Sequence, residues 1–86
     1  MKELERSLKA LANKRRLAIL KYLKQEKEAP VGEIAGAIKL SLRATSKHLG
    51  ILASADIVEK DQRSLQIFYS LSGNQKPIVK TALSIV

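Results

Sequence analysis

The hydrophobic positions of this chain change period along its length, and the changes divide it into elements. From Glu3 to Ala12, Leu4, Leu8 and Leu11 recur at i, i+4 and i+7 among charged residues, which predicts an amphipathic helix with one apolar stripe. Asn13 interrupts and suits an N-cap, its side-chain oxygen accepting from an orphan amide of the next turn. In the second predicted helix, ending near Gln25, Leu17, Leu20 and Leu23 form the buried side with Ile19 beside them. Glu26 to Pro30 reads as a polar connection, and Pro30 fits the first turn of a third helix bearing Val31, Ile34, Ala35 and Ile38 on one side. Lys39 and Leu40 make a tight turn into Ser41, the N-cap of a fourth helix reaching Ser54. On that helix Thr45, His48, Leu49 and Leu52 share one side, and Arg43, Ser46, Lys47 and Gly50 the other. One side anchors, so the other is free to read a partner.

After Ser54 the period falls to two, first in Ile57 to Lys60 and then in Leu65, Ile67, Tyr69 and Leu71, which alternate with Gln66, Phe68 and Ser70. The pattern predicts a β-hairpin. Its tip, Asp61 to Ser64, has no glycine, which favours a loop of about four or five residues over a two-residue primed turn, with Arg63 projecting from it. Ser72, Gly73 and Asn74 break the strand, and Pro77 opens a last helix rich in apolar residues up to Ile85 and Val86. The expected fold is mostly α with a β-hairpin, in the order α-α-α-α-β-β-α, as one domain over residues 1–86. The third and fourth helices, joined by a short turn, have helix-turn-helix geometry.

Composition changes this picture in two respects. A chain of 86 residues buries only roughly 60 to 65% of the surface its unfolded form exposes. So small a core hardly covers both terminal helices, and the segments 3–12 and 75–86 are expected to pair with a second copy of the chain. A formal net charge of +8 favours a polyanionic partner, nucleic acid or an anionic membrane surface. No apolar run approaches the roughly 18 residues that span a bilayer, and the glutamates of MKELERSLKA do not suit a secretion signal. A cytoplasmic location and nucleic acid are the expectation. The absence of cysteine excludes disulfides and thiolate metal chemistry.

The charge is also placed. From Lys39 to Ala55 the chain carries Lys39, Arg43 and Lys47 and no acidic residue, so the outward side of the fourth helix is uncompensated and suits phosphate. Lys14, Arg15 and Arg16 open the second helix, where its dipole disfavours cations; they are either a solvated helix end or a phosphate contact. His48, the one histidine, suits a structural or phosphate-bonding role better than a pH switch. No acid and base pair, glycine-rich phosphate loop or ligand cluster supports an enzyme, and no cofactor is implied.

The stretches LKALANKRRLAIL and LSLRATSKHLGILASADIVEK, with Phe68-Tyr69-Ser70-Leu71 downstream, closely resemble the ArsR-type winged helix-turn-helix transcriptional regulators, from about Leu4 to Leu71. The resemblance implies a homodimer built on the first and last helices, binding to an inverted repeat in double-stranded DNA, and repression. In that reading Arg43, Ser46 and Lys47 face base edges and Leu42 meets a thymine methyl. Ser41 and the amides after it hold a phosphate, His48, Lys14 and Arg15 lie beside them, and Lys60, Gln62, Arg63 and Ser64 serve the wing. Departures count too. The metal-binding Cys-x-Cys positions are Pro30 and Gly32, and the last helix has no Asp, Glu or His, so no metal site is expected. Asp56 stands where the turn usually has glycine. The alternative function is a winged-helix protein-interaction module within a larger transcription or chromatin assembly, which would show little affinity for DNA.

Overall fold

The computed structural model describes residues 1–86. Its elements, in chain order, are α1 (Lys2–Leu11), α2 (Lys14–Glu26), β1 (Glu28–Pro30), α3 (Val31–Ile38), α4 (Leu42–Ser54), β2 (Val58–Arg63), β3 (Gln66–Leu71) and α5 (Pro77–Ile85). Local capping chemistry sets several boundaries. Asn13 Oδ1 accepts from the amides of Arg15 at 2.9 Å and Arg16 at 3.1 Å, starting α2. Ser41 Oγ accepts from the Ala44 amide at 3.1 Å, starting α4.

Helices α3 and α4 each end in a Schellman turn with a residue other than glycine in the left-handed position. At the end of α3 the Leu40 amide donates to Ala35 O at 3.0 Å and the Lys39 amide to Gly36 O at 3.3 Å, with Lys39 at φ 56. At the end of α4 the Ile57 amide donates to Leu52 O and the Asp56 amide to Ala53 O, both at 3.0 Å, with Asp56 at φ 61. Asp56 thus carries the backbone conformation for which glycine is the usual choice. These two turns set α4 against α3 and launch β2.

The sheet differs from the sequence expectation in two places. Glu28–Pro30 is not a plain connection but a third strand, pairing antiparallel with β3 in the order β1-β3-β2. The order is therefore α-α-β-α-α-β-β-α. The reason is Ala29, which lies opposite Tyr69 and is buried with it, while Glu28 opposes Ser70 and Pro30 opposes Phe68. Pro30 serves as the N-cap of α3 with φ −76 and ψ 158, one residue before the first turn. The hairpin is also tighter than expected. Arg63 pairs with Gln66, so Ser64 and Leu65 alone make the turn, with Ser64 at φ 58. A positive φ at the first turn position matches the right-handed twist of the strands, and serine supplies it without glycine.

Ile19, Leu20 and Leu23 of α2, Ile34 of α3, Leu49 and Leu52 of α4, Ile57 and Val79 of α5 form the fully enclosed core; Leu17 is half-buried. Helix α1 buries Ser7, Ala10 and Leu11. Of its apolar stripe only Leu11 joins this core, while Leu4 and Leu8 remain 42% and 45% exposed. On α5 Ile85 is 77% exposed, and Leu8, Ala12, Ile78 and Ile85 line an open apolar groove of about 280 Å³ between the two terminal helices. Lys24 of α2 ties α5 down by donating from Nζ to Leu83 O at 2.6 Å. No helix is long and apolar enough to cross a membrane.

Candidate nucleic-acid interface

The sequence period orients α4 as expected. Thr45, Leu49 and Leu52 are buried, His48 is half-buried, and Leu42, Arg43, Ser46, Lys47 and Gly50 are exposed. None of the exposed side chains of this face takes part in an ion pair. Ser41 Oγ is engaged as an acceptor by Ala44, which leaves its own proton to donate, and the amides of Leu42 and Arg43 have no intrahelical acceptor. The start of α4 thus presents donors and positive dipole beside the charges of Arg43 and Lys47, an arrangement suited to phosphate.

Arg16 joins this helix to the rest. Its Nε donates to Ala10 O at 2.6 Å, Nη2 to Lys9 O at 3.0 Å and Nη1 to His48 Nδ1 at 3.2 Å. One guanidinium therefore caps the end of α1 and fixes the ring on α4. Because His48 accepts from Arg16 through Nδ1, the ring is neutral and its proton sits on Nε2. Burial holds its pKa below the usual histidine value, and the charges of Arg16, Arg15 and Lys47 lower it further. The first turn of α2 consequently lies beside the middle of α4. Arg15 and Lys47 act on one site, and Lys14 is exposed at the same helix end. Of the basic run opening α2, Arg16 has a structural role. On the far side, Arg6 of α1 donates to Ser54 O at the end of α4.

The wing has two unlike faces, because directly opposed residues share a face and neighbours alternate. Lys60 opposes Tyr69 and Gln62 opposes Ile67 on the face that continues inward to the core. Glu59, Asp61 and Arg63 lie on the other face with Phe68 and Ser70. There Arg63 is not a free cation at the tip. Both Nη atoms donate to the Glu28 carboxylate at 2.7 Å, Nε donates to Asp61 at 2.9 Å, and the guanidinium lies 4.5 Å from the centre of the Phe68 ring. The hydrogen bonds from Arg63 hold the Glu28 carboxyl below its ordinary range, and those same partners hold Arg63 above its own. The expectation that Arg63 projects freely is corrected: it laces the wing to β1. Lys60 and Gln62 are exposed, and Ser64 is the turn residue.

Sequence reasoning missed Glu28, Phe68 and Leu65. The first two become visible only through the pairing of β1 with β3. Leu65, which the alternation places in the strand, stands at the tip and is 97% exposed. No three side chains among His, Cys, Asp and Glu gather into a metal-binding group.

A three-helix core with two of its helices joined by a tight turn, followed by a paired hairpin, defines a winged helix-turn-helix module. A family model described as "Helix-turn-helix domain" matches residues 11–61. The chain is 40% identical over 68 residues to the transcriptional activator HlyU of Vibrio cholerae, covering 79% of this chain and 62% of that protein. It is 38% identical over 77 residues to the nodulation protein NolR of Rhizobium meliloti, covering 90% of this chain and 62% of that one. Among solved structures, the homodimeric winged helix-turn-helix DNA-binding domain of Mb0332 from Mycobacterium bovis, a possible ArsR-family transcriptional regulator, superposes with TM-score 0.85 at 32% identity, over 98% of this chain and 75% of that one. The chain belongs to the ArsR-type winged helix-turn-helix family, as a member without cysteines. It spans about three fifths of the length of the two curated relatives.

Proposed function

We propose that this chain is a sequence-specific, double-stranded-DNA-binding transcriptional regulator that acts in the cytoplasm as a homodimer on an inverted-repeat operator, without metal or cofactor. The observation that carries the reading is the outward face of α4, where Arg43, Ser46 and Lys47 stand exposed, unpaired by any carboxylate, beside a capped helix start. Arg43 and Lys47 reach guanine edges, Ser46 supplies a hydroxyl to either kind of base pair, and Leu42 packs on a thymine methyl. Ser41, the amides following it, Lys14, Arg15 and the Nε2–H of His48 hold phosphates and fix the register.

The dimer forms through α1 and α5, whose Leu4, Leu8 and Ile85 lie open on one side of the protomer. The two-fold axis then sets two copies of α4 in major grooves about 34 Å apart. Occupancy of a promoter by such a dimer excludes polymerase, which makes repression the expected outcome. The test is selection from a random duplex pool. The reading requires enrichment of two half-sites in inverted orientation, one helical turn between centres, and lowered output when that site overlaps the promoter of a reporter. Failure to enrich any sequence overturns it.

A further inference from the structure

Resting on that DNA-binding reading, we propose that Leu65 is the wing's contact with DNA, packing against the deoxyribose edges of the minor groove beside the operator half-site, and that Arg63 acts only to position it. Three observations lead there. The outer face of the wing is electrostatically wrong for DNA: Glu28, Glu59 and Asp61 surround the single cation Arg63, so that face repels phosphate. Every nitrogen of the Arg63 guanidinium already donates to a carboxylate. A phosphate would have to displace two such partners at once.

The inner face is different. It carries Lys60 and Gln62, opposed to Tyr69 and Ile67. A cleft of about 250 Å³ opens between β3 and the start of α3, and Ser46 of the reading face lines it together with Leu65 and Ile67. Ser46 and Leu65 thus border one cleft. The turn itself fixes where that leucine stands. Two residues span it, Ser64 takes the positive φ, and Leu65 is left at the apex with 97% of its surface open. Apolar side chains, leucine among them, are the ones that minor-groove proteins press against base steps.

Arg63 makes that apex rigid. It is the residue before the turn, and its ties to Glu28 and Phe68 join β2 across β3 to β1, so the hairpin end is held to the rest of the sheet. The division of labour is then Lys60 for a flanking phosphate, Leu65 for the groove wall, and Arg63 for placement.

The test uses the wild-type chain, Leu65→Ser, Lys60→Ala, Arg63→Gln and Arg63→Lys in anisotropy titrations against a selected duplex over a salt series. Leu65→Ser is expected to lose about five- to tenfold in affinity with the salt slope unchanged, since it removes apolar contact and no charge. Lys60→Ala is expected to lower the slope by about 0.9. Both Arg63 variants are expected to weaken binding with the slope unchanged, lysine failing to rescue because it lacks the fork that grips Glu28. In the complex, Leu65 methyl protons should show intermolecular Overhauser contacts to deoxyribose protons. Unchanged affinity of Leu65→Ser, or a slope lowered by about one in Arg63→Gln, overturns the proposal. If the wild-type chain binds no duplex, the DNA reading itself has failed; if it binds and only Leu65→Ser is silent, the wing inference alone falls.

Discussion

At the scale of single residues, one buried and one half-buried group of α4 make stability depend on chemistry away from the DNA face. Thr45 is fully buried and its hydroxyl has no hydrogen-bond partner. Desolvating a hydroxyl without compensation costs on the order of 1 to 3 kcal/mol, so Thr45→Val, which keeps the shape, should raise stability by about 1 kcal/mol in urea unfolding. A loss of stability would mean that the hydroxyl has a partner after all. His48 is held neutral by burial and by Arg16, Arg15 and Lys47, so its folded-state pKa lies below the unfolded value. Its contribution is complete above pH 6.5 and is lost as pH falls through the lowered folded value. The melting temperature of the wild-type chain should therefore drop between pH 7 and 5 more steeply than that of His48→Gln. Parallel curves would deny His48 this role.

At the scale of elements, the parts with local causes were legible in the sequence and the parts with distant causes were not. Asn13 and Ser41 act as caps on amides two or three residues away, and the apolar period of α2 and α4 identifies Leu20, Leu23, Leu49 and Leu52 as core. Strand β1 escaped because Glu28, Ala29 and Pro30 are too few to show a period, and what makes them a strand is Tyr69, far along the chain. In the sequence Arg63 reads as a wing cation because its neutralising partner Glu28 belongs to that strand. The hairpin loop reads as longer than it is because the rule of glycine at positive φ hides Ser64.

Within α4 itself, Gly50 lies on the exposed side, and a Cβ there meets nothing within 4 Å. Gly50→Ala should accordingly stabilise the protein by about 1 kcal/mol, read as a higher urea midpoint at unchanged m-value. No gain would place Gly50 under a constraint that the free chain does not reveal.

At the scale of the whole molecule, charge and apolar surface occupy different regions. The basic residues of the first turn of α2 lie beside the middle of α4, the acids Glu28, Glu59 and Asp61 collect on the outer sheet face, and the open leucines of α1 form a third region beside α5. Leu8 sits at the middle of that apolar region and lines its groove. In the proposed dimer Leu8→Glu leaves a carboxylate buried without a partner, so the variant should sediment as a monomer. Its affinity for a two-half-site duplex should fall about a hundredfold, because the second half-site no longer benefits from linkage. A variant that remains dimeric, or a wild-type chain that is monomeric at micromolar concentration, would remove α1 from the interface.

The central claim is that the exposed side of α4 reads duplex DNA, and the most direct measurement compares the wild-type chain with Arg43→Ala, Lys47→Ala. Fluorescence anisotropy would follow each protein on a selected and on a random duplex across a salt series. The prediction is that the double variant loses about tenfold or more on the selected duplex, loses less on the random one, and shows a slope shallower by roughly 0.9 for each phosphate contact removed. Equal affinity of the two proteins for both duplexes would contradict the claim and return the module to the search for a protein partner.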